Sequence, residues 1–160
     1  MARGLLMVYT GGGNKALPVM GQIFRALGRG LRVCVVTFGG VDSPFSELIT
    51  PQKFGDTLEI HELTICRENR KDQGSGLGKE IGQAWKSAGE FIDSGKFDMV
   101  VLDELQLLLT DQGVSARGLA DYLGKRGENM FVLATIDDVP GPLALIADAI
   151  TEVTETGGAD

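Results

Sequence analysis

Histidine and cysteine are scarce in this 160-residue chain, which has one His and two Cys. Cys34 lies in an apolar run and Cys66 in a polar one, so the pair makes no disulfide framework, and no Cys/His cluster has zinc-ligand spacing. Such cysteine usage favours a reducing, cytoplasmic setting. Basic residues are outnumbered, 15 Lys+Arg against 22 Asp+Glu, for a net charge of −7. So acidic a chain lacks the cationic surface that general nucleic-acid binding needs, and no nucleic-acid partner is expected. No apolar run approaches the ~20 residues of a membrane span, and Leu5 to Val8 is too short for a signal-peptide core, so no membrane partner is expected either. Disorder as the main state is excluded by a hydrophobic fraction of 43%.

Glycine is what the chain has in excess, 23 residues, about twice the usual ~7%. So many glycines imply tight turns or close backbone approaches. The length suits one domain with a core of its own. We read residues 1–153 as that domain and 154–160 as a flexible tail.

Short apolar runs alternate with helical patterns. Leu5–Tyr9, Leu31–Phe38, Met99–Leu102 and Met130–Thr135 read as buried strands, Thr57–Leu63 as a strand nearer an edge and Ile150–Val153 as a last strand. Met20, Ile23, Phe24 and Leu27 mark one helix face, which Gly28 and Gly30 end. Leu77, Ile81, Ala84, Trp85, Ala88, Phe91 and Ile92 form the clearest stripe, which Gly95 stops. Helical pieces are expected at Phe45–Ile49, Leu105–Leu109, Val114–Leu123 and Pro142–Ala147, and an exposed loop at Cys66–Gly76. Apolar strands alternating with helices indicate an α/β domain with three α/β/α layers and a mostly parallel sheet. Ligands of such sheets bind beyond the carboxyl ends of the strands. That edge carries Thr10–Ala16, Gly39–Ser43, Asp103-Glu104 and Thr135–Val139.

A glycine turn between a first strand and a first helix can cradle an anion on inward amides and the positive helix end. Thr10, Gly11, Gly12, Gly13, Asn14 and Lys15 are the candidate nucleotide- and phosphate-binding residues. A P-loop also needs a Lys for the outer phosphates and a Ser/Thr hydroxyl for Mg²⁺. Here Lys15-Ala16-Leu17 stands where Gly-Lys-[ST] is needed. Gly11-x-Gly13-x-x-Ala16 also fits a dinucleotide fingerprint, without an acid at the end of the second strand, and a turn that binds nothing is a further reading. Asp103 and Glu104, after an apolar strand, are candidate Mg²⁺ residues of Walker B type, or else a solvated pair or a cap for the helix at Leu105. Trp85 reads as core. His61 has no partner that the sequence can place.

The segment LMVYTGGGNKALPVMGQIFRALGRGLRVCVVTF resembles the start of the P-loop corrinoid adenosyltransferases, the ATP:cob(I)alamin or cob(I)yrinic acid a,c-diamide adenosyltransferase family. Ala84-Trp85, Gly95–Glu104 (GKFDMVVLDE) and Met130–Val153, with its closing Ala-Asp-x-x-x-Glu pattern, extend the likeness over residues 5–153. It implies a P-loop NTPase-like (RecA-like) domain and a transferase of cobalamin metabolism. ATP and Mg²⁺ would serve as cofactors and a corrinoid, cobalamin or a precursor, as substrate or ligand. In that chemistry reduced cobalt attacks the ribose C5′ and triphosphate leaves, which demands a strong phosphate clamp.

Against the family pattern Thr10, Gly11, Gly13, Asp103 and Glu104 are kept. Asn14 replaces the first loop Lys, Lys15 a Gly, Ala16 the P-loop Lys, and Leu17-Pro18 the Thr pair. Asp137 stands where the family has an Arg near the phosphates, and Gly39-Gly40-Val41 lacks a basic residue. The losses fall on phosphate contacts, so the resemblance implies a member impaired in ATP chemistry. The alternatives are a non-catalytic corrinoid- or partner-binding module, acting in a homodimer or a mixed dimer with an intact paralogue, or a binder of another nucleotide such as a dinucleotide.

Overall fold

The computed structural model describes residues 4–40, 43–45, 50–65, 76–111 and 113–157. Six strands form one parallel sheet: β1 (Leu6–Thr10), β2 (Val33–Thr37), β3 (Leu58–Glu62), β4 (Met99–Asp103), β5 (Phe131–Thr135) and β6 (Ala149–Glu152). Their order across the sheet is β3-β2-β4-β5-β1-β6. Parallel pairing requires every return to cross a face; from β2 to β3 the chain runs through the 3₁₀ segment Pro51–Thr57, and helices make the other four crossings. They are α1 (Ala16–Gly28), α2 (Gly76–Asp93), α3 (Ala116–Leu123) and α4 (Gly141–Ile146).

Side chains alternate along each strand, so one sheet builds two cores. Leu6, Val8, Cys34, Val36, Val100, Leu102, Val132 and Ala134 pack with α2, α3 and α4. Tyr9, Val33, Val35, Met99, Val101 and Leu133 pack with α1 through Ala16, Val19, Met20, Ile23 and Ala26. The three layers and the parallel sheet expected from the sequence are therefore present. α1 begins after Asn14, whose side-chain Oδ1 accepts the Ala16 N–H at 3.1 Å. Gly30, at φ 76°, carries the chain out of it. Burial pushes the Cys34 thiol up to about 12, as befits an interior residue.

At the amino edge Arg126 fastens three segments. Its buried guanidinium donates to the Gly4 carbonyl at 2.8 Å, to the Leu123 carbonyl at 2.9 Å and to Asp148 Oδ2 at 2.5 Å. Asp148 also accepts the Leu6 N–H at 2.8 Å, so the Ala-Asp pattern before β6 has a structural task.

One expectation needs correcting, and one element was not foreseen. The helical piece at Leu105–Leu109 is a single 3₁₀ turn, Leu105–Leu107, because Thr110 and Val114 N–H groups turn back to the Leu108 carbonyl. A second 3₁₀ segment, Pro51–Thr57, leads into β3 where the sequence has no apolar periodicity to announce it. The helix expected at Phe45–Ile49 lies outside the described residues beyond Phe45, as does the loop at Cys66–Gly76 up to position 75.

Candidate functional site

Every strand of the sheet is parallel, so the exits of β1, β2, β4 and β5 share one edge. Two polar constellations sit there, one at the exit of β4 and one at the exit of β1.

Asp103 ends β4 and is 5% exposed. Its Oδ1 accepts the Thr135 hydroxyl of β5 at 2.7 Å. Its Oδ2 accepts the Thr37 hydroxyl of β2 and the Ser43 hydroxyl, each at 3.1 Å. The three hydroxyl residues are buried as well. Thr135 Oγ1 in turn accepts the Glu104 N–H at 2.8 Å, so a hydrogen-bond chain runs from backbone to carboxylate. Glu104 adopts a left-handed backbone, φ 63° and ψ 48°, the only non-glycine residue to do so among the described residues. That conformation costs on the order of 1 kcal/mol for a residue with a Cβ. The Glu104 carboxylate lies against Gly39, where a β-carbon would collide with it. The bland readings of this acid pair therefore fail: Asp103 is buried, not solvated, and Glu104 makes no side-chain cap for the following turn. Next to it, Gln106 Oε1 is buried without a hydrogen-bond partner.

The β1 exit is a different arrangement. Gly11 has φ 100°, and a β-carbon there would meet the Val153 carbonyl at 2.5 Å. At Gly13 the same carbonyl would stand 2.9 Å away. Two of the three glycines are thus required by the close passage of the chain leaving β6, whereas Gly12 faces open space. The turn's amides are largely satisfied within the molecule. Gly11 N–H donates to the Asp137 carbonyl at 3.2 Å and Gly13 N–H to the Val153 carbonyl at 2.9 Å. Asn14 N–H donates to Glu155 Oε1 at 3.0 Å. Lys15 turns inward: its Nζ donates to the Gly11 carbonyl at 2.6 Å and to Asp137 Oδ1 at 3.2 Å. The Thr10 hydroxyl donates to the Asp137 carbonyl at 2.7 Å. Leu17, at the position where a P-loop hydroxyl belongs, is exposed, and Pro18 follows it in the first turn of α1.

Thr10–Lys15 and Asp103-Glu104 thus lie on one edge, linked through the β5 exit, which supplies Thr135 to the first constellation and Asp137 to the second. Among the described residues no three His, Cys, Asp or Glu side chains are grouped to hold a metal ion. Thr37, Val153 and Glu155 take part without having been singled out from the sequence. Thr37 carried a weak signal, a hydroxyl at the end of a buried strand. Val153 and Glu155 carried none, because only the register Val8↔Ile150 brings residues after β6 to the turn. His61 finds partners too: Nε2 lies 3.0 Å from Glu59 Oε2, and the ring stacks on Phe91 at 4.1 Å. Trp85 packs edge-on to Tyr122, as a half-buried member of the α2 stripe.

The family model for ATP:corrinoid adenosyltransferases BtuR/CobO/CobP matches residues 2–157. A corrinoid adenosyltransferase of Pseudomonas aeruginosa is 28% identical over 157 residues, which cover 95% of this chain and 75% of that relative. No helix among the described residues is long and apolar enough to cross a membrane. With a match that runs nearly end to end, the chain belongs to the ATP:corrinoid adenosyltransferase family.

Proposed function

We propose that this chain is a corrinoid-handling member of its family whose transfer of adenosyl from ATP is impaired. One observation carries the reading: Lys15, the one cation of the turn, is bonded to Gly11 and Asp137, while Ala16 and Leu17 offer neither ammonium nor hydroxyl at the head of α1. A triphosphate leaving group gathers charge in the transition state, and fixed cations lower its energy. Each missing charged contact costs on the order of 1.5–3 kcal/mol.

A nucleotide entering this edge would meet Thr10–Lys15 with its phosphates and Asp103/Glu104 with its metal. Mg²⁺ would supply charge neutralisation there, but the residues fit it poorly. Asp103 already serves three hydroxyls, and no hydroxyl from α1 faces it. The reading is of one domain working in the cytoplasm, with the corrinoid as its partner molecule. A mixed dimer with an intact paralogue would supply the missing chemistry, whereas a homodimer would repeat the same losses.

The test is adenosylation of chemically reduced cobalamin with ATP and Mg²⁺, followed by corrinoid absorbance. The wild-type chain is expected to give no turnover, and Ala16→Lys with Leu17→Thr and Asp137→Arg to gain at least tenfold in ATP affinity. Wild-type turnover without any repair contradicts the proposal.

A further inference from the structure

The two faces of the sheet are covered unequally. Among the described residues α2, α3 and α4 pack on one face, and α1 with the 3₁₀ segment Pro51–Thr57 on the other. Beside the second half of α1 this leaves an open cavity of about 290 Å³. Its floor is apolar: Met7 of β1, Met99 of β4, and Phe131 and Leu133 of β5. Met7 and Phe131 are only half-buried, and Leu5, which also lines the cavity, is 43% exposed. Met99 and Phe131 open their strands, so the cavity lies at the amino ends of the sheet, away from the edge that carries Asp103 and the glycine turn. Its volume is about twice that of a protein cavity that takes up benzene, room for an aliphatic chain of about eight to ten carbons.

The wall contributed by α1 is cationic. Arg25 and Arg29 line the cavity one helical turn apart. α1 contains no acidic residue, and neither arginine has an ion pair among the described residues. Like charges four positions apart repel. The negative end of α1 accounts for a cation there, but not for two beside an accessible apolar floor in a chain of net charge −7. Few polar groups converging on an apolar cavity is the usual make-up of a small-molecule site. An anionic head would relieve the repulsion, and guanidinium and carboxylate pair in a strong two-bond geometry.

We propose that this cavity binds an aliphatic monocarboxylate, its chain on Met7, Met99 and Phe131 and its head between Arg25 and Arg29. The site goes beyond the adenosyl-transfer reading and does not rest on it, since it shares no residue with the strand-exit edge.

The experiment titrates the full chain, ¹³C-labelled at its methionine methyls, with octanoate and with 1-octanol as the neutral counterpart. Octanoate is expected to move the Met7 and Met99 methyl resonances and to leave that of Met130, which belongs to the opposite core, in place. Arg25→Gln combined with Arg29→Gln should weaken octanoate about tenfold, the value of two exposed ion pairs, and leave octanol unchanged. Leu5→Trp, at an exposed position, should narrow the cavity and weaken both probes. Met7 and Met99 resonances that stay put at millimolar octanoate overturn the proposal. So does equal binding of octanoate and octanol, or a double arginine variant that keeps its octanoate affinity. Shifts of the same methyls with protein concentration alone would assign the surface to a second copy of the chain and overturn it as well. Turnover in the adenosylation assay alters none of these outcomes, so the two readings fail separately.

Discussion

The exits of β4 and β1 stand two strands apart on one edge, yet they are held in opposite ways. At β4 a buried carboxylate collects hydroxyls from three chain segments, and every member is interior. At β1 an exposed turn is tied down by backbone carbonyls, one lysine and the carboxylates of Asp137 and Glu155. The first half keeps the acidic residues of the family pattern. The second has lost that pattern's cations and hydroxyls, and acids now stand beside its amides. On the proposed reading the turn gives up its phosphate chemistry, while the β4 exit keeps residues that also hold strands together.

The comparison breaks most readily at Asp103. Asp103→Ala would leave three buried hydroxyls without their acceptor, and we expect a loss of about 3 kcal/mol or more in denaturant unfolding. A loss below 1 kcal/mol would mean that the knot is not structural. At the turn, the largest effect belongs to Gly11→Ala. Positive φ and the nearby Val153 carbonyl together predict about 2 kcal/mol, while Gly12→Ala, facing open space, should change stability by no more than a few tenths. Similar costs at both positions would refute the assignment of Gly11 to close packing. Lys15→Ala removes a bridge whose Asp137 side chain is 63% exposed, so a cost under about 1 kcal/mol is expected from the same unfolding curves.

The smallest effect lies at the other end of β4, where Asp98 precedes the strand. The Arg32 backbone N–H, at 2.8 Å, and its guanidinium hold the Asp98 carboxyl below its ordinary value. A depressed carboxylate contributes stability that is present above its unfolded-state pKa and fades as pH falls through the lowered one. Asp98→Asn should therefore flatten the acid limb of the stability–pH curve slightly. An unchanged acid limb would show that the contact adds nothing.

The sequence carries most of the fold and only half of the site. Four continuous apolar strands and the α2 stripe announce the layers, and Thr57–Leu63 reads correctly as an edge strand, because burial on two faces leaves its mark in local pattern. Asp103 and Ser43 are visible as polar residues at strand exits. Their mutual contact depends on three strands lying side by side, which no local window contains. The turn is less legible still. Its glycines suggest phosphate, yet Gly11 and Gly13 answer to Val153, a residue about 140 positions away that arrives through the β1–β6 register. Reading Thr154–Asp160 as a tail gave no hint that Glu155 meets Asn14.

The central claim is that the phosphate grip of the β1 turn has gone while the architecture around it persists. Calorimetric titration of the wild-type chain with ATP and Mg²⁺ tests it most directly. The account predicts no binding heat up to millimolar nucleotide, and recovery of binding when Ala16→Lys, Leu17→Thr and Asp137→Arg are combined. Micromolar binding of ATP by the unaltered chain would contradict it.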